Sequence, residues 1–482
     1  MHKHNLPRTR PARALSPLVL AALLSGCSFI PRYERPAAPV PQAYPLADAA
    51  AAATATATAA ADIDWRDYFT DPRLQQLIGT ALANNRDLRV AMLNVEQARA
   101  QFQIQRANQY PTLNAIASGT RQPSIVNGRY GNQFQAGVGI SAWEMDFFGR
   151  LAALKEQALA QYLATDEARK SAQISLVSAV ASGWLTLMAD EELLDISRRT
   201  LQTREESVKL TRLRLEHGVS SELDNHQAES LAQAARATYA QQQRQRLLDE
   251  NALALLLGQP LPEDIRASLP SSRLADAAPM QALPAGLPSD LLARRPDIRQ
   301  AEQLLVGANA NIGAARAAFF PRIALTAQIG SVSNELSGLF KSGTWAFSLA
   351  PQLALPIFDA GRNQAGLEAA QAGRQIAVAQ YEKSIQTAFR EVSDALAGQA
   401  TLQAQVDAQR AQTQADSKRL QLSDLRYRNG VASYLDLLDA QRSLFATEQA
   451  LVLTRLQQLQ NQVTLYKVLG GGVSDKDAPA RS

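Results

Sequence analysis

The chain has 482 residues, 46% of them apolar and only 6% aromatic. That length suits two or three ordinary domains or one elongated one, and the apolar share excludes a wholly disordered polypeptide. The formal charge of +4 is contributed by Lys3, Arg8, Arg10 and Arg13; without residues 1–26, Lys+Arg falls from 49 to 45 and equals Asp+Glu. A neutral mature chain excludes nucleic acid as a partner, which needs a basic face.

Residues 1–13 are basic and residues 14–24 are apolar, a stretch of signal-peptide length that falls short of the roughly 20 residues of a membrane span. It ends in Leu24-Ser25-Gly26-Cys27, which resembles a bacterial lipoprotein box. That resemblance makes 1–26 a signal peptide and puts a diacylglyceryl and an N-palmitoyl lipid on Cys27; an ordinary secretory signal with a chance cysteine is the alternative. Ser28 in second position resembles lipoproteins delivered to the outer membrane. Cys27 is the only cysteine, so an intrachain disulfide framework or thiolate cluster is excluded. Residues 27–62, proline-rich and then Ala/Thr-rich, predict an extended tether with little to bury. The folded body is expected to begin near Trp65.

Beyond that point the chain repeats itself. Asp87-Leu88-Arg89 returns as Asp297-Ile298-Arg299, and Tyr110-Pro111 as Phe320-Pro321. Gly149-Arg150 returns as Gly361-Arg362, Gly218-Val219 as Gly430-Val431, and Leu223-Asp224 as Leu435-Asp436. The predicted organisation is a first repeat over 63–258, a linker over 259–288, a second repeat over 289–472 and a flexible tail over 473–482. Each repeat opens with a helical segment, 72–107 and 289–317, the first with Asp71 as N-cap and Pro72 in its first turn.

Two alternating runs follow in each copy, placing strands within 111–145 and 321–357. Phe134, Ala136, Val138, Ile140 and Ala142 share one parity; Ile323, Leu325, Ala327 and Ile329 do so in the second copy, as do Trp345, Phe347, Leu349 and Leu353. The runs have about the 9–11 residues of a tilted transmembrane strand. Helical arms are expected over 150–257 and 362–469, with Val180, Leu187, Leu194, Leu201, Val208 and Leu215 repeating every seventh residue. Gly218 and Gly430 mark the turns at the tips. Four strands cannot close a barrel in lipid, and an open edge is forbidden there. Two copies would give eight strands and three would give twelve, wide enough for water. A soluble coiled-coil scaffold with incidental hairpins is the competing reading.

Several long motifs carry a family resemblance: Trp143-Glu144-Met145-Asp146-Phe147-Phe148-Gly149-Arg150, Gly286 to Asp297, Ala314 to Pro321, Arg426 to Leu444, and Leu465 to Gly472. With them the chain resembles the outer-membrane factors, the TolC-like exit ducts, and among these the OprM-type lipoproteins of multidrug efflux. The resemblance implies a mixed α and β membrane protein: a homotrimer whose 12-stranded outer-membrane β-barrel, four strands per chain, continues into a long periplasmic α-helical barrel. Residues 259–288 and the C-terminal helix end would form a belt. It implies a passive channel in outer-membrane lipid, energised by an inner-membrane RND pump through a periplasmic membrane-fusion adaptor, with no cofactor besides the lipid on Cys27. A type I protein-secretion duct and a non-conducting periplasm-spanning scaffold remain the alternatives.

The family's constriction maps to Tyr434 to Asp439. Leu435 would form an apolar collar, and Asp436 and Asp439, three apart on one helix face, would become six carboxylates under threefold symmetry. Such a ring favours cations, and like-charge crowding raises some of its acids. Close OprM relatives carry a hydroxyl residue where this chain has Asp436, so the resemblance implies either greater cation selectivity or greater sensitivity to divalent ions here. First-turn acids also complement a helix dipole without any gate. Arg426, Tyr427 and Arg428 are candidates for tying the tip helices together. His217 and His226 are expected at the surface, Trp184 and Met188 in packing. No HExxH, phosphate loop or GxSxG occurs in the sequence, so no enzyme is expected.

Overall fold

The computed structural model describes residues 28–45, 60–123, 128–281, 283 and 288–472. The lipidation expected at Cys27, the leader, most of the Ala/Thr stretch and the tail 473–482 lie outside the described residues.

The described residues divide into two compact units, one drawn from the stretches up to 36, 95–165 and 301–381 and the other from 37–94, 166–300 and 382–472. In chain order the main helices are α1 (Trp65–Tyr68), α2 (Pro72–Asn84) and α3 (Arg86–Ala107), then strands β1 (Leu113–Pro123) and β2 (Tyr130–Met145). Helices α4 (Arg150–Glu216), α5 (Glu222–Leu257), α6 (Glu263–Ser268), α7 (Pro288–Arg294) and α8 (Pro296–Ala317) follow, then β3 (Arg322–Ser333), β4 (Trp345–Ala354), α9 (Arg362–Arg428) and α10 (Tyr434–Val468).

The first unit is built on one antiparallel sheet of order β1-β2-β3-β4. Its register puts Val138 opposite Ile329 and Ile329 opposite Phe347, so the apolar parities of three strands share a face. The other face carries Gln135, Gly139, Thr326, Gln328 and Ser348. One step of the expected alternation fails. Between Ile140 and Trp143 the register shifts, and Ala142 takes a positive φ of 48° while its N–H donates to Thr326 Oγ1 at 3.1 Å. This bulge removes Ala142 from the apolar parity and hands the face to Trp143 and Met145, opposite Leu325 and Ile323.

The N-terminal segment is extended, as its prolines demand, but it is not loose. Phe29 stacks on Phe320 at 4.6 Å, Asn309 donates to the Pro31 carbonyl at 2.7 Å, and Arg35 grips both oxygens of Glu302 at 2.7 and 2.8 Å. Gly313 admits this segment, since a Cβ there would strike Ile30. Aromatic residues spaced among the prolines supply the grip that a low-burial tether lacked.

In the second unit, Tyr68 stacks on Tyr466 at 4.0 Å, and the Tyr466 hydroxyl donates to the Ile63 carbonyl at 2.6 Å. Trp184 and Met188 are buried there, as packing residues. Tyr44 is also buried and stacks on Phe389 at 5.1 Å. The helical segment expected over 72–107 is two helices. Asn85 breaks it, its side chain accepting the Leu88 N–H at 2.9 Å while its amide donates to the Leu256 carbonyl. The segment expected over 289–317 breaks 210 residues later at Arg295, where Pro296 cannot continue the α7 hydrogen-bond ladder. Arg295 is bound to Asp297, Glu391 and the Val468 carbonyl at 2.6, 2.8 and 3.1 Å.

Helices α4 and α9 each have 67 residues, roughly 100 Å at 1.5 Å per residue. Val180 and Leu187 of the predicted seam are buried, but Leu194, Leu201, Val208 and Leu215 are only half-buried.

Candidate gate at the helix tips

Both tips turn by the same hydrogen bonds. Gly218 and Gly430 hold φ of 69° and 73°, a left-handed conformation that glycine adopts without the Cβ penalty. The Gly218 N–H donates to the Leu215 carbonyl at 2.9 Å and the Val219 N–H to that of Arg214 at 2.9 Å. In the second copy Gly430 donates to Tyr427 and Val431 to Arg426, both at 3.0 Å. This is the Schellman closure, which satisfies carbonyls orphaned at a helix end.

The next helix begins with the same device in both copies. Ser221 caps α5 and accepts the Asp224 N–H at 3.1 Å, while Asp224 accepts the Ser221 N–H in return. Ser433 and Asp436 repeat this at α10, with the Ser433 hydroxyl also donating to Asp436 at 2.8 Å. Asp436 therefore serves first as a cap. The hydrogen bonds from Ser433 hold its carboxyl below the usual range, opposite to the direction that crowding in a ring would impose.

Leu435 is 61% exposed, projecting beside the cap. Asp439 is exposed and forms an ion pair with Arg419 of α9, which also lies 4.0 Å from Asp416. Asp436 and Asp439 thus have different partners. Arg428 pairs with Asp424 of its own helix at 2.8 Å, and Arg426 contributes only a longer-range pull on Asp436. Tyr427 does pack between helices: it lies 5.4 Å from the Tyr434 ring, and the Arg214 guanidinium sits 4.5 Å over its face. Tyr434, Leu437 and Leu438 complete that cluster with Ala228. Burial pushes the Tyr434 hydroxyl up to about 12. His226 is exposed, 3.3 Å from Glu229, and His217 is exposed at the turn.

A polar column along α4 went unseen in the sequence. Asp190, Ser197, Arg204 and Thr211 recur every seventh residue and are all buried. Burial, a shared hydrogen bond with Asp249 and the charges of Asp249 and Glu191 raise the Asp190 carboxyl to about 8, against the pull of Arg246. Below it Arg246 joins Glu191 and Glu250, each at 2.5 Å. The column keeps the seven-residue spacing of the seam, so its signal in the sequence is a polar residue at every seventh position. Among the described residues no three His, Cys, Asp or Glu side chains converge as a metal site.

The family model for "Outer membrane efflux protein" matches residues 77–259 and 287–471. The chain is 49% identical over 466 residues to the probable efflux pump outer membrane protein TtgC of Pseudomonas putida, covering 95% of each. It is 43% identical over 469 residues to the outer membrane protein OprJ of Pseudomonas aeruginosa, covering 96% of each. Among solved structures it superposes on the open state of the MtrE outer membrane channel of Neisseria gonorrhoeae with a TM-score of 0.83 and 42% identity, covering 92% of this chain and 98% of that one. A four-stranded antiparallel sheet, two helical repeats with long arms of equal length and these matches together show that the chain belongs to the outer membrane efflux protein family.

Proposed function

We propose that this protein is the outer-membrane exit duct of a tripartite efflux pump, a passive channel through which antibiotics, dyes and other small toxic compounds leave the cell. The observation that carries the reading is a four-stranded sheet with one apolar face and an open outer edge on β1 and on β4, on a chain with two helices of 67 residues. Lipid forbids unpaired strand edges, so β1 of one copy pairs with β4 of the next, and three copies close a 12-stranded barrel wide enough for water. The long helices continue the duct into the periplasm. A lipid on Cys27 anchors the chain, and the tips at Gly218 and Gly430 meet a periplasmic adaptor coupled to an inner-membrane RND pump.

Leu435, Asp436 and Asp439 form the gate in this reading. The Arg419–Asp439 pair holds α10 against α9, and the capping box fixes where α10 begins. Dye accumulation should rise in a strain lacking the gene and fall when the wild-type copy is restored, and the purified protein should conduct ions in planar bilayers. Unchanged accumulation together with a silent bilayer would leave a scaffold as the better description.

A further inference from the structure

Arg204 of α4 is only 5% exposed, yet among the described residues no carboxylate lies within ion-pair distance of its guanidinium. Its one hydrogen bond runs from Nη1 to Gln441 Oε1 of α10 at 2.6 Å. The other buried arginine among the described residues, Arg295, is compensated by Asp297 and Glu391, and the partly buried Arg246 by Glu191 and Glu250. A buried charge without a counter-charge is among the costliest arrangements in a protein. Burial depresses the Arg204 pKa, the neighbouring Tyr434 hydroxyl opposes that shift, and Arg442 adds to it.

A cleft of about 120 Å³ opens at this side chain, lined by Arg199, Thr200, Thr203, Gln441 and Glu448 over an apolar floor. The Thr203 hydroxyl is used by the Arg199 carbonyl at 3.0 Å, but that of Thr200 makes no hydrogen bond among the described residues. Gln441 spends its oxygen on Arg204, which leaves its amide hydrogens free to donate. Glu448 is the one acid on the wall. It lies 3.9 Å from Arg199 and is paired with that guanidinium, whose charge opposes the upward pull of burial on its pKa. With Glu448 engaged by Arg199, the Thr200 hydroxyl and the Gln441 amide are the donors left beside Arg204, and no carboxylate pairs with Arg204 itself.

We propose that this cleft binds a small inorganic anion of halide size, which neutralises Arg204 and bridges α4 to α10 through the Arg204 guanidinium, the Thr200 hydroxyl and the Gln441 amide. The site lies on helices that lead to the tips, so its occupant ties the first repeat to the second there. The inference rests on these side chains alone and stands whether or not the protein exports drugs.

The test uses the full-length protein purified in detergent. Crystals soaked in sodium bromide should show an anomalous peak in the cleft. At constant ionic strength, replacing gluconate with chloride should raise the melting temperature of the wild type by a few degrees, because a ligand bound only by the folded state stabilises it by mass action. Arg204→Gln should abolish that response, and Thr200→Val, a milder change, should shift it several-fold to higher chloride. A bromide-free cleft, or an equal chloride response in wild type and Arg204→Gln, would overturn the proposal. If Arg204→Gln fails to fold, the bromide map and the Thr200→Val titration still decide it.

Discussion

Asp224 and Asp436 stand 212 residues apart and make the same bond: each accepts the backbone N–H of the serine three residues before it, at 3.4 and 3.1 Å. The two tips therefore share one cap chemistry, and they part company only beyond it. Position 227 carries Gln where 439 carries an acid, and it is Asp439 that reaches across to α9. The proposed gate is confined to the second copy because of that difference rather than because of Asp436 alone.

Asp439→Asn should leave stability nearly unchanged, within about 1 kcal/mol as for exposed ion pairs, yet it should release α10 from Arg419 and raise the open probability of single channels in planar bilayers. An unaltered channel with a lowered melting point would make the pair structural instead. The double change Asp436→Asn with Asp439→Asn should also weaken cation preference, seen as a smaller reversal potential across a salt gradient.

Ser433→Ala should cost about 1 kcal/mol in local helix stability, the typical worth of an N-cap, read as faster hydrogen exchange at Asp436 and Leu437. The same amides should show pH dependence. Asp436 has a folded pKa below the ordinary 3.8, so its stabilisation is fully present above the unfolded value and is lost as pH falls through the folded one. Exchange protection should therefore hold from neutral pH to about 5 and decline only in acid.

Tyr427→Ala should destabilise the tip by about 3 kcal/mol, the scale for deleting a buried aromatic, whereas Tyr427→Phe keeps the contact with Tyr434 and should be nearly silent. Limited proteolysis near Gly430 gives the readout. Equal cleavage of the two variants would show that the ring contact contributes nothing.

Asp190 gives the opposite pH sign to Asp436. Its folded pKa of about 8 lies above the ordinary 3.8, so the folded state keeps a proton that the unfolded state has released. Stability from this group is full below the unfolded value and declines as pH rises towards 8. Asp190→Asn should melt higher than wild type at alkaline pH, and the advantage should vanish near pH 4. Two parallel melting curves would refute the buried proton.

Arg295→Met should cost about 1–3 kcal/mol, because it leaves the Val468 carbonyl and the partly exposed carboxylates of Asp297 and Glu391 without their donor. The corresponding break in the first copy, at Asn85, is made by an uncharged cap. Asn85→Ala should cost less, about 1 kcal/mol. Calorimetry on the two variants compares them directly.

Much of this architecture lay open in the sequence, because repeats and periods survive without coordinates. The 67-residue arms, the Gly218 and Gly430 turns and the paired hairpins all followed from the 212-residue spacing and from alternation. The bulge at Ala142 did not, because an extra residue declares itself only when its strand is paired with Thr326 opposite. The column from Asp190 to Thr211 escaped because a seam was sought among apolar residues alone, and buried polar positions give no hydropathy signal. At the second tip, Ser433 and Asp436 are spaced as a capping box, a signal legible in the sequence. The Arg419–Asp439 pair joins residues on separate helices, and only the packing of α9 on α10 brings it into view.

The equal count of α4 and α9 constrains how such a chain can evolve. Losing one residue from either arm rotates everything beyond it by about 100° and draws it back by 1.5 Å, swinging every later seam residue off its neighbour. Losing seven restores the facing but shortens one arm by about 10 Å, leaving its tip behind the other. Length changes can therefore be inherited only in matched pairs, in both halves and in whole heptads. Isolated insertions should collect instead in the strand connections, where the two repeats already differ: six residues separate β1 from β2 and eleven separate β3 from β4.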